Sequence, residues 1–319
     1  MDELNAYLDR VIPVISDSWR TDALADLAIT NPPQGVFTNN SVLCKSDISF
    51  VWLSWFIESI YDYNLADKNV SYGTVFSNVR RGLIHSGFND SSPKFTEVSR
   101  TISRLVFEYI GKLKGRKRKQ PKNDTKEALL EKFDSKPHCW ICGYQFKDFA
   151  INRYLGTDDN IILPSTFDFY SPRGLKERDI SIEIEHKQPF SSGGGDLDDL
   201  DNLDLSCGYC NRYKWKFLSL YDVNKGLRTF SHPSLGNVSI PQPYWIIRIL
   251  ALADKCSHSG CTVKKTKQQL YIDLVNPLGS ASPTNLKAVC RKHISLAGFR
   301  FLDRNTVEKG LKRYRDSFV

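Results

Sequence analysis

Two pairs of cysteines, Cys139-Trp140-Ile141-Cys142 and Cys207-Gly208-Tyr209-Cys210, constrain this chain more than any other feature. Each C-x2-C pair sets two thiolates across one tight turn, able to grip one ion from the same side. Two such knuckles complete the closed tetrahedral shell of structural zinc. One pair alone could be a redox couple. Two of them in one polar, strand-rich stretch predict a shared Zn2+ on Cys139, Cys142, Cys207 and Cys210 that holds the fold together and does no chemistry. A second set, Cys256, Cys261, Cys290 and His293, has the looser pattern C-x4-C…C-x2-H and predicts a second structural zinc, with His258 as a substitute ligand. The eighth cysteine, Cys44, stands alone. Clustered thiols of this kind fit metal binding in a reducing compartment better than disulfides.

The remaining composition is that of a globular chain. At 319 residues, 41% hydrophobic and 25% charged, it is long enough for two or three domains, and neither disordered nor collagen-like. No apolar stretch reaches the ~20 residues of a spanning helix. The best candidate, Trp245 to Ala253, is short and carries Arg248. The opening Met1-Asp2-Glu3 shows no basic stretch followed by an apolar run, which gives a cytoplasmic address and no membrane partner as the expectation. The net charge of +8 is unevenly spread: residues 1–111 hold nine basic and thirteen acidic side chains, residues 112–126 hold eight basic and one acidic. The positive charge thus lies in a linker and the C-terminal two thirds, which favours a polyanionic partner there.

Apolar spacings of three and four predict helices over Phe95–Ile110, Asp47–Tyr63 and, more weakly, Gly73–Ser86. In the second, Asp47 is a candidate cap and Val51, Trp52, Trp55, Phe56 and Ile60 form the apolar stripe. The run Lys112 to Lys119, followed by Pro121, reads as a solvated linker, or as an arm on phosphates. Beyond it, the alternation Ile180-Ser181-Ile182-Glu183-Ile184-Glu185 predicts a half-buried strand, Ser191 to Gly195 a flexible turn, and Asn211 onward a helix.

Between the first two knuckles lies Ile184-Glu185-His186-Lys187-Gln188-Pro189, then Gly193-Gly194-Gly195, then Asn202-Leu203. The second knuckle runs straight into Asn211-Arg212-Tyr213-Lys214. Phosphodiester hydrolysis needs an activated water, neutralised phosphate charge and a stabilised leaving oxygen. A neutral histidine can accept the water's proton near pH 7. A carboxylate with an amide oxygen can hold a hard divalent ion. Over residues 139–216 the string resembles the HNH endonuclease family in its zinc-bearing ββα-metal form, as an H-N-N variant with Asn211 at the last position and Glu185 where Asp is commoner. The resemblance implies His186 as general base, Glu185 and Asn211 as ligands of a catalytic Mg2+ or Mn2+, Asn202 as the residue that orients the loop and the His186 ring, and Lys214 as a phosphate contact. Glu183, on the same strand face as Glu185, is the alternative ligand. The acidic run Asp196 to Asp201 reads as a solvated loop, and Asp158, Asp159 and Asp168 carry no assignment.

The second cysteine set frames a parallel string. Ile272-Asp273-Leu274 aligns with Ile184-Glu185-His186, and Asn285-Leu286 through Cys290 and His293 aligns with Asn202-Leu203 through Cys207 and Cys210. Leu274 stands where the base would be and Ile294 where the last ligand would be, and neither can accept a proton or bind a cation. The expectation is an α+β chain: a helical regulatory or partner-docking domain (1–111), a basic linker (112–126), an HNH nuclease domain (127–230) and a degenerate HNH-like zinc finger (231–319). Its expected activity is metal-dependent cleavage of nucleic acid, DNA before RNA. By analogy of build it is an anti-phage effector with a regulatory ATPase or other protein partner. The alternatives are a non-enzymatic, zinc-stabilised nucleic-acid-binding protein and a protein-interaction adaptor.

Overall fold

The computed structural model describes residues 1–16, 24, 28–63, 66–67, 69–113, 122–133, 136–187, 200–215, 217–224, 229–232 and 234–309. The central part of the basic run (114–121) and the glycine turn with most of the acidic run (188–199) lie outside them. Helices α1 (Asp2–Ser16), α2 (Ser41–Ile60), α3 (Tyr72–His85) and α4 (Phe95–Leu113) make up the N-terminal part. Then come α5 (Asn123–Glu131), α6 (Asp148–Leu155), β1 (Thr166–Asp168), α7 (Glu177–Ile180), β2 (Ile182–His186), β3 (Leu203–Cys207) and α8 (Gly208–Lys214). The chain continues through β4 (Thr229–His232), β5 (Gly236–Ser239), α9 (Pro243–Leu252), β6 (Leu270–Leu274), β7 (Leu286–Cys290), α10 (Ala297–Arg300) and β8 (Phe301–Asp303). The strands pair two by two, β1 with β8, β2 with β3, β4 with β5 and β6 with β7. Mixed helix and small sheets agree with the α+β expectation.

The buried apolar side chains fall into two cores. One joins Ile57 and Ile60 of α2 to Val75, Val79 and Leu83 of α3 and to Phe95, Ile102, Val106 and Ile110 of α4. The other holds both cysteine sets, α9 and the hairpins, and it includes Leu43 and Cys44 from the start of α2. So α2 is a rod with one end in each core, and this corrects two sequence expectations. The helix begins at Ser41, so Asp47 is no cap. It is fully buried, pairs with Arg248 at 2.7 Å and accepts the Leu220 N–H at 2.7 Å. The stripe is also only partly internal: Ile60 is buried, whereas Trp52 and Trp55 are 61% and 63% exposed, because the middle of the rod spans the gap between the cores.

The hairpins β2–β3 and β6–β7 share one register. Ile182 opposes Cys207 and His186 opposes Leu203, just as Leu270 opposes Cys290 and Leu274 opposes Leu286. The knuckle attached to each is built the same way. Cys139 N–H donates to the Tyr144 carbonyl and Cys256 N–H to that of Val263, while Trp140 donates to Leu205 and Ser257 to Ala288. The hairpins also close alike, Lys187 N–H on the Asn202 carbonyl and Val275 N–H on that of Asn285. The two units join where Leu270 N–H donates to the Cys142 carbonyl at 3.0 Å. They differ after the last strand: α8 follows β3 for two turns, whereas a single 3-10 turn, Arg291–His293, follows β7.

Candidate active site

The four thiols of the first set are fully buried, and their sulfurs lie within 4.8 Å of one another. Zinc–sulfur bonds of about 2.3 Å in a tetrahedron require sulfurs about 3.8 Å apart, so the cluster fits the ion. Gly143 turns the first knuckle with φ +73°, a left-handed conformation that favours glycine, and Tyr144 N–H donates to Cys142 Sγ at 3.4 Å. Gly208 opens α8 where a Cβ would lie 1.9 Å from the Arg178 carbonyl oxygen, so the second knuckle also needs a glycine. Burial raises the Cys207 and Cys210 thiols well above their ordinary value. Burial would raise Cys142 too, but hydrogen bonds from the other three thiols and the charge of Arg173 hold it well below. Arg173 belongs to no motif, and no spacing or pattern singles it out. It is buried with Nη2 3.7 Å from Cys210 Sγ, between the rings of Tyr144 and Tyr209, where its positive charge offsets that of the thiolates.

The second set also converges. Cys256, Cys261, Cys290 and His293 place their ligand atoms within 4.8 Å, with His293 Nδ1 3.4 Å from Cys256 Sγ and 3.3 Å from Cys290 Sγ. His258 stacks on the His293 ring at 3.9 Å, packed against the cluster. Cys261 and His293 are partly exposed, unlike any ligand of the first set.

The chemical residues lie at the end of the β2–β3 hairpin and on α8. Glu185 and His186 end β2, Asn202 directly precedes β3, and Asn211 and Lys214 stand one turn apart on α8. Helix α8 begins inside the second knuckle, three residues earlier than the sequence suggested, and stops at Lys214 because Trp215 takes φ +43°. Lys214 Nζ donates to Glu185 Oε1 at 2.7 Å and to the His186 carbonyl at 2.8 Å, so these three residues form one cluster. Glu185 is only 6% exposed, a buried carboxylate that already holds a cationic group. Asn211 meets the other carboxylate: its Nδ2 donates to Glu183 Oε2, and Arg178 Nε donates to Glu183 Oε1 at 2.7 Å. A carboxylate only accepts, so it takes the NH2 end of the amide and leaves Oδ1 facing elsewhere. Arg212 of the same helix pairs with the buried Asp179 of α7, locking α8 against the segment before β2. These oxygen donors suit a hard divalent cation.

Residues 174–216 match the family model of the HNH endonucleases. The HNH stretch runs from just after Arg173 through α7, both strands and α8, and so includes every residue of this cluster. It points to a nuclease acting on nucleic acid. No curated protein and no solved structure matches the chain. Among the described residues no helix is long and apolar enough to cross a membrane.

The HNH cluster has a closed counterpart in the second hairpin. Asp273, at the position of Glu185, is buried, and its two oxygens accept from Ser295 N–H and Ser295 Oγ, each at 2.9 Å. Arg300, wholly buried, stacks on Tyr170, grips Asp168 at 2.6 and 2.8 Å and reaches Asp273 at 3.7 Å. Asp168 is thus a structural partner. Asp158 bonds the N–H of Asn160 in an exposed turn, and Asp159 is exposed.

Proposed function

We propose that the chain is a metal-dependent endonuclease whose catalytic residues are Glu185, His186, Asn202, Asn211 and Lys214, with DNA as the preferred substrate. The observation that carries this reading is that Lys214 bonds both Glu185 and the His186 backbone inside the HNH-matched stretch. That contact supports the reading by joining Lys214 to the proposed acidic ligand and to the backbone of the proposed base. Mg2+ or Mn2+, held by Glu185 and the Asn211 amide oxygen, would neutralise charge on the scissile phosphate and at the leaving oxygen. His186, at the strand end, accepts the proton of the attacking water. Lys214, paired with Glu185 here, would contact the phosphate if that carboxylate held the divalent cation. Glu183 positions Asn211 by holding its NH2 group. A loop-orienting role for Asn202 is supported by its counterpart: Asn285 Nδ2 donates to the carbonyls of Asn276 and Ser280, and its Oδ1 accepts from Asn276 N–H, stapling the loop of the second hairpin.

In the same reading, Zn2+ braces both cysteine sets, the first unit has the ββα-metal build, and residues 231–319 are its catalytically inert copy. The helical N-terminal part is the restraint or docking module. A nuclease so restrained fits an anti-phage effector with an ATPase partner, by analogy of build alone. One observation favours the alternative of a zinc-stabilised nucleic-acid-binding protein: Glu185 and Glu183 are both engaged by cationic side chains.

A metal titration of plasmid nicking separates the carboxylates. Glu185→Gln is expected to abolish nicking at low Mn2+, with partial recovery at high Mn2+. Glu183→Gln, which no longer fixes the Asn211 amide, is expected to raise the half-saturating Mn2+ concentration with little loss at saturation. Asp273→Ala is expected to lower the melting temperature, by exposing Arg300 to a lost partner, and to leave nicking per folded molecule unchanged. Equal and large losses in all three would show that the two hairpins share the chemistry and sink the assignment.

A further inference from the structure

Helices α3 and α4 pack antiparallel, and on one side they leave an open cleft of about 360 Å3 lined by Tyr72, Phe76, Arg100 and Arg104. The spacing makes the lining regular. Tyr72 and Phe76 are four apart on α3, Arg100 and Arg104 four apart on α4, so each pair shares a helix face. The rings lie nearly parallel, 20° apart with centroids at 6.4 Å, and Phe107 braces Tyr72 edge-on at 5.6 Å. Arg80, one turn beyond Phe76, lies outside the lining: its guanidinium is 5.8 Å from the Phe76 ring but 4.8 Å from that of Phe95, and it donates to Thr96 Oγ1 at 3.3 Å. Neither Arg100 nor Arg104 forms a hydrogen bond or ion pair among the described residues, and both are exposed. Helix α3 contains no acidic residue, and its N-terminus, with the helix dipole's positive end, opens at Tyr72.

This is an unusual concentration. Residues 1–111 are acidic overall, yet four of their nine basic side chains, Arg80, Arg81, Arg100 and Arg104, sit on these two helices. Partly exposed aromatic rings beside guanidinium forks that form no ion pair with Glu97 or Glu108 of the same helix match a ligand that has a flat ring and an anionic group a few ångströms apart. We propose that the α3–α4 cleft binds a nucleotide, its base against Tyr72 and Phe76 and its phosphate on Arg100 and Arg104. The cleft lies on the helical core, apart from the core that holds the HNH cluster. It is therefore a second nucleic-acid or nucleotide site, suited to coupling the N-terminal helices to substrate or to a signal.

The test uses the full, zinc-loaded chain with no added Mg2+ or Mn2+, where divalent-ion cleavage is off, at low salt. Two probes are titrated by fluorescence anisotropy or calorimetry, fluorescein-labelled dT12 and free AMP. Arg100→Ala/Arg104→Ala and Tyr72→Ala are each expected to weaken one of these probes by about tenfold or more. The arginine pair is further expected to reduce the salt slope for dT12 by about 0.7, the value of one phosphate contact on a single strand. Arg100→Lys/Arg104→Lys should recover part of the affinity, since charge returns without the planar fork. Binding is read with no strand cut, which keeps failure here distinct from failure of the nuclease assignment. Loss confined to dT12 identifies a strand, and loss confined to AMP identifies a free nucleotide; either supports the site. Unchanged affinity and salt slope for both probes in the arginine pair would overturn it. So would a silent Tyr72→Ala, which leaves no base contact.

Discussion

Cys142→Ser, or removal of zinc by a strong chelator, is expected to unfold the C-terminal part of the chain. The four buried thiols of the first set are themselves members of the larger core, alongside Leu203, Leu205 and Ile246. Apparent binding energies of structural zinc run to about 10–16 kcal/mol in small finger peptides. Whole domains have net stabilities of only about 5–15 kcal/mol, so the rest of the core has no means of absorbing the loss. Without an ion, the buried thiols and Arg173 would face one another with their charges poorly matched. The release should come in two phases. Cys261 and His293 are partly exposed, so the second set should yield its ion first, and the chain should retain most of its structure at that point. Elemental analysis should find two zinc ions per chain. A chromogenic zinc indicator read together with near-ultraviolet circular dichroism would follow the order. A zinc-free chain with unchanged dichroism and melting temperature would contradict the bracing role of both clusters.

His186→Ala is expected to lower the rate of nicking by about 10²- to 10⁴-fold, the usual contribution of a positioned base. The side chain stands at the end of β2, where pairing with Leu203 and the bond from Lys214 to its carbonyl fix the backbone. Alanine keeps that backbone geometry, because both contacts are made by main-chain atoms of residue 186. Nucleic-acid affinity and zinc content should therefore be unchanged, and the loss should fall on the rate at saturating substrate. A variant that nicks as fast as the parent would remove His186 from the chemistry. A variant that loses zinc along with activity would give it a structural role instead.

Ligand sets and local pairing were legible in the sequence because they are written in short spacings. The C-x2-C pairs, the five-residue step from Asn202 to Cys207 and the equal step from Asn285 to Cys290 predicted two similar units, and the hairpins repeat the same register. The alternation of residues 180–185 located β2 to within two residues. What escaped was long-range and polar. Nothing near Asp47 signals Arg248, two hundred residues on, and no periodicity joins Asp168 and Asp273 to Arg300 or Arg173 to the thiols. Exposure of Trp52 and Trp55 was hidden for a related reason: a helical stripe shows which residues share a face, and not whether a neighbour covers it. The choice between Glu183 and Glu185 was ambiguous because residues two apart share a strand face. Helix α8 splits them, giving Asn211 to one and Lys214 to the other.

The measurement that bears most directly on the whole account is cleavage of supercoiled plasmid by the purified, zinc-loaded full chain, first without and then with added Mg2+ or Mn2+. The account requires an intact plasmid without the added ion, conversion to nicked and linear forms when it is supplied, and no conversion by His186→Ala under the same conditions. Tight, salt-sensitive binding of the plasmid with no cut strand at any divalent-ion concentration would contradict it, and would leave a zinc-braced binding protein in its place.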